Sequence, residues 1–257
     1  MSLMEVAHIS KSFGGLKAVD DISFDIAPRT ITGLIGPNGA GKSSLFNCLS
    51  GFDSFDEGSV TLDGQDLPCG KQRVFLEAGI ARTFQNTSLF DDMTVLENII
   101  VALSSGKGAD FISAVFKRFS TRNADDENKE AARLLLSKFS LDGIEDKDCG
   151  SLGAGQRRLV EVVRACAMRP KVVLLDEPAA GLNATETSHL MEVVKRICDM
   201  DMSVIVVEHD IRLIMGISDD VICMDHGAKI AQGPPHIIQK DEAVIEAYLG
   251  RAHNSVL

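Results

Sequence analysis

A chain of 257 residues accommodates one large domain, or one domain carrying a smaller lobe. Its 45% hydrophobic and 25% charged residues are ordinary for a soluble globular protein, while 26 basic against 37 acidic residues give a net charge of −11. That balance argues against a broad nucleic-acid surface, which needs clustered Lys and Arg. No stretch approaches the ~20 apolar residues of a membrane-spanning helix, so the chain is expected to be soluble, with any membrane role exercised through a partner. The six cysteines (Cys48, Cys69, Cys149, Cys166, Cys198, Cys223) are scattered singly with no C-x-x-C pair. A reduced core fits them better than a disulfide or zinc framework.

The elements follow in chain order. Ile22, Phe24 and Ile26 alternate with polar neighbours, the period-two pattern of a half-buried strand. The apolar run Ile31-Thr32-Gly33-Leu34-Ile35 predicts a buried strand. It leads into Gly36-Pro37-Asn38-Gly39-Ala40-Gly41-Lys42-Ser43, which fits G-x-x-x-x-G-K-[ST]. A helix then starts near Ser43-Ser44 and is closed by Gly51. Ser59-Val60-Thr61-Leu62 alternates again and meets a hairpin-type turn at Asp63-Gly64. These early strands are expected to be antiparallel and to surround the strand before the glycine-rich loop.

From about Met93 to Phe139 the periodicity is helical. Thr94 and Glu97 make a capping box, and the polar run at 123–129 reads as a break before another helix. The stretch is expected to form a helical lobe inserted between two halves of an α/β core. Two apolar strands follow, Val172-Val173-Leu174-Leu175 and Val204-Ile205-Val206-Val207. The helical stripe Leu190, Val193, Val194 and Ile197 between them makes a parallel βαβ unit. Val221-Ile222-Cys223-Met224, a turn at Asp225-His226-Gly227 and Lys229-Ile230-Ala231 predict a closing hairpin.

The glycine-rich octapeptide carries the chemistry. Its glycines let successive backbone N–H groups turn toward one anion, and the helix N-terminus adds partial positive charge. Lys42 is suited to reach the β- and γ-phosphates of a nucleoside triphosphate, and the Ser43 hydroxyl to ligand Mg²⁺. Both later strands end in polar residues, Asp176-Glu177-Pro178 and Glu208-His209-Asp210, where open α/β sheets bind ligands. Asp176 is expected to hold Mg²⁺ through water, Glu177 to polarise an attacking water, and His209 to sense the γ-phosphate. The segment Leu152-Gly153-Ala154-Gly155-Gln156 opens another helix. Taken alone it reads as an ordinary glycine-rich loop. As a second anion site it makes sense if it covers the nucleotide of another subunit.

The ordered set of these segments resembles the ATP-binding cassette ATPases nearly end to end. That resemblance implies a P-loop NTPase core of the α/β class with a mixed sheet, an N-terminal antiparallel β-subdomain and an inserted α-helical subdomain. It implies one domain over 4–250, with 4–92 and 160–250 as a RecA-like core and 93–159 as the helical part. It assigns Phe13 to adenine stacking. Gln85 is assigned to a loop that touches Mg²⁺ and faces a membrane partner. Gly153, Ala154, Gly155 and Gln156 correspond to the signature that closes over ATP, and Gly181-Leu182-Asn183 to a loop crossing to the second subunit. ATP and Mg²⁺ are the implied cofactors, and ATP hydrolysis the implied reaction. A second ATPase subunit (identical or not), integral permease subunits and, indirectly, an external solute-binding protein are the implied partners, with no nucleic acid. The implied location is the cytoplasmic face of the inner membrane.

Arg82-Thr83-Phe84-Gln85-Asn86, Met93-Thr94-Val95-Leu96-Glu97-Asn98 and the C-terminal Glu246-Ala247-Tyr248-Leu249-Gly250 look like the branched-chain amino-acid importer subfamily. Urea and lipopolysaccharide transporters stay as alternatives, as does a nucleotide-gated regulatory protein with negligible hydrolysis. A soluble cassette ATPase acting on DNA or ribosomes is a further one, but these usually have two cassettes or a long coiled-coil insertion. The chain departs from the family at Gly153, where Ser is usual, at Ala154, where Gly is usual, and at Asn183, where Asp is commoner. The missing serine hydroxyl forgoes a hydrogen bond to a charged group worth about 1.5–3 kcal/mol.

Overall fold

Residues 2–83, 89–105 and 122–249 are described by the computed structural model of the chain. Strands β1 (Met4–Phe13) and β2 (Leu16–Ile26) form an antiparallel hairpin, followed by β3 (Ile31–Ile35) and helix α1 (Lys42–Leu49). β4 (Glu57–Leu62) and the short β5 (Gln65–Asp66) extend that hairpin into a four-stranded sheet of order β2-β1-β4-β5. The turn between them uses left-handed backbone at Asp63 and Gly64, with φ of 50° and 73°, as a tight two-residue hairpin demands. α2 (Gln72–Ala78) then leads to β6 (Ile80–Arg82).

Helices α3 (Val95–Ser105), α4 (Arg122–Lys138) and α5 (Ala154–Ala167) pack on one another and return the chain to β7 (Val172–Asp176). α6 (Ala184–Asp199), β8 (Ser203–Val207), α7 (Ile211–Ile217), β9 (Asp220–Asp225) and β10 (Ala228–Gly233) follow, then α8 (Pro235–Ile238) and α9 (Glu242–Leu249). The second sheet has the order β10-β9-β3-β8-β7-β6. Every neighbour in it is parallel except β10, which pairs antiparallel with β9 as the expected closing hairpin.

The continuous apolar runs have a physical reason: this sheet walls two cores. Along β7, Val172 and Leu174 join one cluster, shared with α1 and the antiparallel sheet, while Val173 and Leu175 join the other, shared with α5, α6 and α7. Ile205 and Val207 against Val204 and Val206 repeat the division on β8. With both faces covered, period-two alternation of polarity disappears although the alternation of side-chain direction remains. Each such side chain contributes about 1.5–3 kcal/mol by burial. The βαβ stripe lies where expected: Leu190, Val193, Val194 and Ile197 are buried beneath α6.

Two expectations are corrected. The early antiparallel strands do not surround β3, whose partners are β8 and β9; they close into their own sheet on the opposite side of α1. Ladder partners cannot be read from sequence proximity when a sheet is assembled from distant βα units. The polar run at 123–129 is not a break either, because α4 begins at Arg122 and runs through it. Its polarity belongs to a helix whose later turns carry the apolar contacts, with Ala132, Leu135 and Leu136 buried. The Thr94–Glu97 capping box is present: the Thr94 N–H donates to Glu97 Oε2 at 3.0 Å, and the Glu97 N–H to Thr94 Oγ1 at 3.2 Å.

Candidate functional site

Parallel register brings three strand ends together. Leu34 on β3 and Asp176 on β7 both pair with Val207 on β8, so β7 and β8 end on one rung and β3 one residue beyond it. The loops leaving that edge begin with Gly36, Glu177 and Glu208.

The first loop is the glycine-rich segment. Gly36 and Gly41 have φ of 152° and 99°, and a Cβ there would lie 2.2 Å from the Met224 carbonyl oxygen and 2.1 Å from that of Ala18. Both the backbone conformation and the close approach therefore require glycine. Asn38 and Gly39 at the tip are exposed, as is Ser43 in the first turn of α1, while Ala40 and Lys42 are buried. Lys42 Nζ donates to the carbonyl oxygens of Gly36 at 2.6 Å and Pro37 at 3.0 Å, so its arm lies along the inside of the loop. Ser44 is half-buried.

Asp176 closes β7 and is buried; its Oδ2 accepts from Arg82 Nη2 at 2.7 Å. The next residue, Glu177, has φ of 45°, left-handed backbone that costs a non-glycine residue of order 1–3 kcal/mol. Extended continuation would send residues 176 and 177 to opposite faces of the sheet; the left-handed turn breaks that alternation. The Glu177 N–H still donates to the Val207 oxygen at 2.9 Å, and Glu177 Oε1 lies 2.9 Å from His209 Nε2.

Glu208 carries no role in the sequence reading, yet it is buried between two loops. Its Oε1 accepts from the Ala179 N–H at 2.6 Å and its Oε2 from the His209 N–H at 3.3 Å. Burial pushes its carboxyl above the ordinary carboxylate range, and those two N–H donors only partly offset this. The signal was an acid directly after a wholly buried strand. Arg82 is the second residue whose role was missed, a cation at the end of a short, largely buried strand.

The residues fit Mg²⁺ as a shared ion. Ser43 and Asp176 offer hard oxygen donors, and among the described residues no group of three or more His, Cys, Asp or Glu is arranged to hold a metal alone. A cation there would take the rest of its shell from phosphate and water, the habit of Mg²⁺ rather than of a metal caged by protein. Gln85 lies outside the described residues.

The remaining candidates stand on other elements. Phe13, at the end of β1, is 51% exposed, with Lys11 Nζ 5.2 Å from its ring centre. Gly153 is the N-cap of α5 with extended backbone (φ −65°, ψ 159°), and Gly153, Ala154 and Gln156 are exposed. Among the described residues no hydrogen bond joins residues 152–156 to the glycine-rich loop. Gly155 is buried, and a Cβ on it would lie 2.4 Å from Glu186 Oε1. Glu186 belongs to the capping box of α6: Asn183 Oδ1 accepts from the N–H groups of Thr185 and Glu186, and Glu186 Oε2 accepts from the Asn183 N–H. The start of α5 and the exposed Asn183 are thus tied within one chain.

Comparison with known proteins agrees with this geometry. A family model described as ABC transporter matches residues 19–180, and one described as Branched-chain amino acid ATP-binding cassette transporter matches residues 228–254. The chain is 37% identical over 251 residues to the high-affinity branched-chain amino acid transport ATP-binding protein BraF of Pseudomonas aeruginosa, covering 97% of this chain and 98% of that protein. It matches LivG of Escherichia coli K12, a protein of the same description, to the same identity and extent. Among solved structures, the ADP conformation of MJ1267, an ATP-binding cassette of an ABC transporter, superposes with a TM-score of 0.84 at 31% identity, over 97% of this chain and 99% of that one. The chain belongs to the ATP-binding proteins of the ABC transporter family.

Proposed function

We propose that this chain is the ATP-hydrolysing subunit of an importer for branched-chain amino acids. The observation that carries the ATPase reading is the convergence of the glycine-rich loop, Asp176 and the Glu177–His209 pair on one sheet edge. Support for the cargo class comes from the match of residues 228–254 and from the names of the relatives.

In this reading Phe13 stacks on adenine, and the backbone of residues 36–44 cradles the phosphates, with every residue but Pro37 offering an N–H. Lys42 exchanges its carbonyl partners for phosphate oxygens. Ser43, Asp176 and Gln85 would hold Mg²⁺, whose charge offsets that of the phosphates. Glu177 accepts a proton from water as the water oxygen bonds to the terminal phosphorus, and ADP leaves with the electrons of the broken P–O bond. His209 keeps the Glu177 carboxylate oriented.

Gly153, Ala154, Gly155 and Gln156 of a second subunit would cover the same nucleotide, with Asn183 crossing beside them. ATP drives closure only through its higher affinity for the closed pair. The chain is read as one domain over 4–250 with a helical part at 93–159, attached at the cytoplasmic face of the inner membrane through permease subunits.

The test is assembly with co-purifying membrane subunits in vesicles, measuring ATP hydrolysis and uptake of labelled leucine, isoleucine and valine. ATP-dependent uptake of these supports the proposal; uptake of urea instead overturns the cargo assignment. A second reading, a nucleotide-gated regulatory protein, is favoured by Gly153, whose helix start has no side-chain cap. Nucleotide binding without turnover in the assembled complex would select it.

A further inference from the structure

Arg82 ends β6, two residues before the undescribed segment that carries Gln85. Its side chain is 9% exposed and touches two elements of the site at once. Nη2 donates to Asp176 Oδ2 at 2.7 Å, at the end of β7. Nη1 donates to Asn47 Oδ1 at 2.7 Å and Ser50 Oγ at 2.9 Å, on and just after α1, and the guanidinium carbon lies 5.2 Å from the centre of the Phe46 ring. Helix α1 is the element that begins with Lys42 and Ser43. The guanidinium therefore spans from the helix bearing Ser43 to the carboxylate of Asp176.

We propose that Arg82 is a positioning residue that sets the spacing between Ser43 and Asp176, the two described halves of the metal site. This rests on the reading of Asp176 as a metal-holding group given above. The contact uses Oδ2 and leaves Oδ1 with no hydrogen bond among the described residues. A planar fork is suited to the task, because its two amino groups hold two partners at a fixed angle, which one ammonium does not. The anchors on Asn47, Ser50 and Phe46 hold the guanidinium without help from Asp176, so the arginine aims the carboxylate rather than following it.

Charge alone would make the opposite mark. A cation beside a metal ligand weakens the attraction of that ligand for Mg²⁺. A purely structural or competing arginine would thus leave Mg²⁺ affinity unchanged or raise it when removed. A positioning arginine lowers it on removal.

The experiment measures affinity for fluorescent trinitrophenyl-ATP in excess Mg²⁺ and in EDTA, for wild type, Arg82→Lys, Asn47→Ala and Asp176→Asn. The readout is the ratio of the two affinities, which isolates the metal from the cradle. In EDTA all four are expected to bind within about twofold of one another, the glycine-rich loop being untouched. Arg82→Lys is expected to lower the ratio by about 10–100-fold, as loss of groups that orient metal ligands does. Asn47→Ala, which keeps the ion pair and removes one anchor, lowers it less and serves if Arg82→Lys does not fold. An unchanged or raised ratio in these variants overturns the proposal. A wild type indifferent to Mg²⁺, or Asp176→Asn equal to wild type, instead overturns the reading of Asp176.

Discussion

His209 Nε2 lies 2.9 Å from Glu177 Oε1, joining the loop after β8 to the loop after β7. The contact exists because Glu177 turns left-handed at φ 45°, so a strained backbone is spent on aiming one carboxylate. The Glu177 side chain is 18% exposed and that of His209 52%, which leaves the acid sheltered and the imidazole open to solvent. Glu177→Gln is expected to lower turnover by about 10²–10⁴-fold while ATP binding stays at the wild-type level. Steady-state hydrolysis with a parallel binding titration checks this, and near-normal turnover would remove Glu177 from its proposed role.

Gly153 has extended backbone, and nothing lies within 4 Å of a Cβ built on it. The site therefore accepts serine without strain. In the proposed closed pair a serine hydroxyl there would add a hydrogen bond to a charged phosphate, about 1.5–3 kcal/mol. Gly153→Ser in a Glu177→Gln background is expected to tighten ATP-dependent association about tenfold or more, read by sedimentation. An unchanged or weaker dimer would contradict the account of this departure.

Phe13 is large, apolar and half exposed, an arrangement that a base can cover. Base–aromatic stacking contributes about 1–3 kcal/mol. Phe13→Ala is expected to weaken ATP binding about fivefold or more while leaving inorganic tripolyphosphate binding unaltered. Equal losses for both ligands would show that the ring supports the loop and does not recognise adenine.

Glu208 gives a pH signature. Burial, and Glu177 nearby, raise its carboxyl, while the Ala179 and His209 N–H groups and His209 charge oppose them; the net shift is upward. A carboxyl raised in the native state binds more protons there than in the unfolded chain, where it titrates near about 4.3. Its stabilising contribution is therefore complete below that value and is lost as pH rises through the native one. The difference in Tm between wild type and Glu208→Gln is expected to decline steadily as pH rises from about 4 toward neutrality. A flat or rising difference would falsify this assignment.

Much of the site was readable because its signals are local. A glycine-rich loop needs left-handed φ at particular positions, and an amphipathic helix such as α6 displays its own period. Asp176, Glu177 and His209 were legible as polar residues ending apolar runs. Arg82 and Glu208 also stand at the ends of buried strands, but their roles depend on partners 94 and 29 residues away in Asp176 and Ala179, which no local pattern reveals. The polar start of α4 misled for the opposite reason: local composition favoured a break, and the helix is held by contacts made further along it.

The amino-acid sequence by itself determined the glycine-rich loop, the strand and helix that flank it, and the family, because backbone conformation and side-chain period are short-range properties. Tertiary structure alone decided that β3 lies between β8 and β9, that the antiparallel strands form a separate sheet, and that one rung aligns Leu34, Val207 and Asp176. It also decided that Arg82 spans α1 and β7. Those outcomes depend on burying both faces of one sheet against two cores, a constraint that acts between segments far apart in the chain.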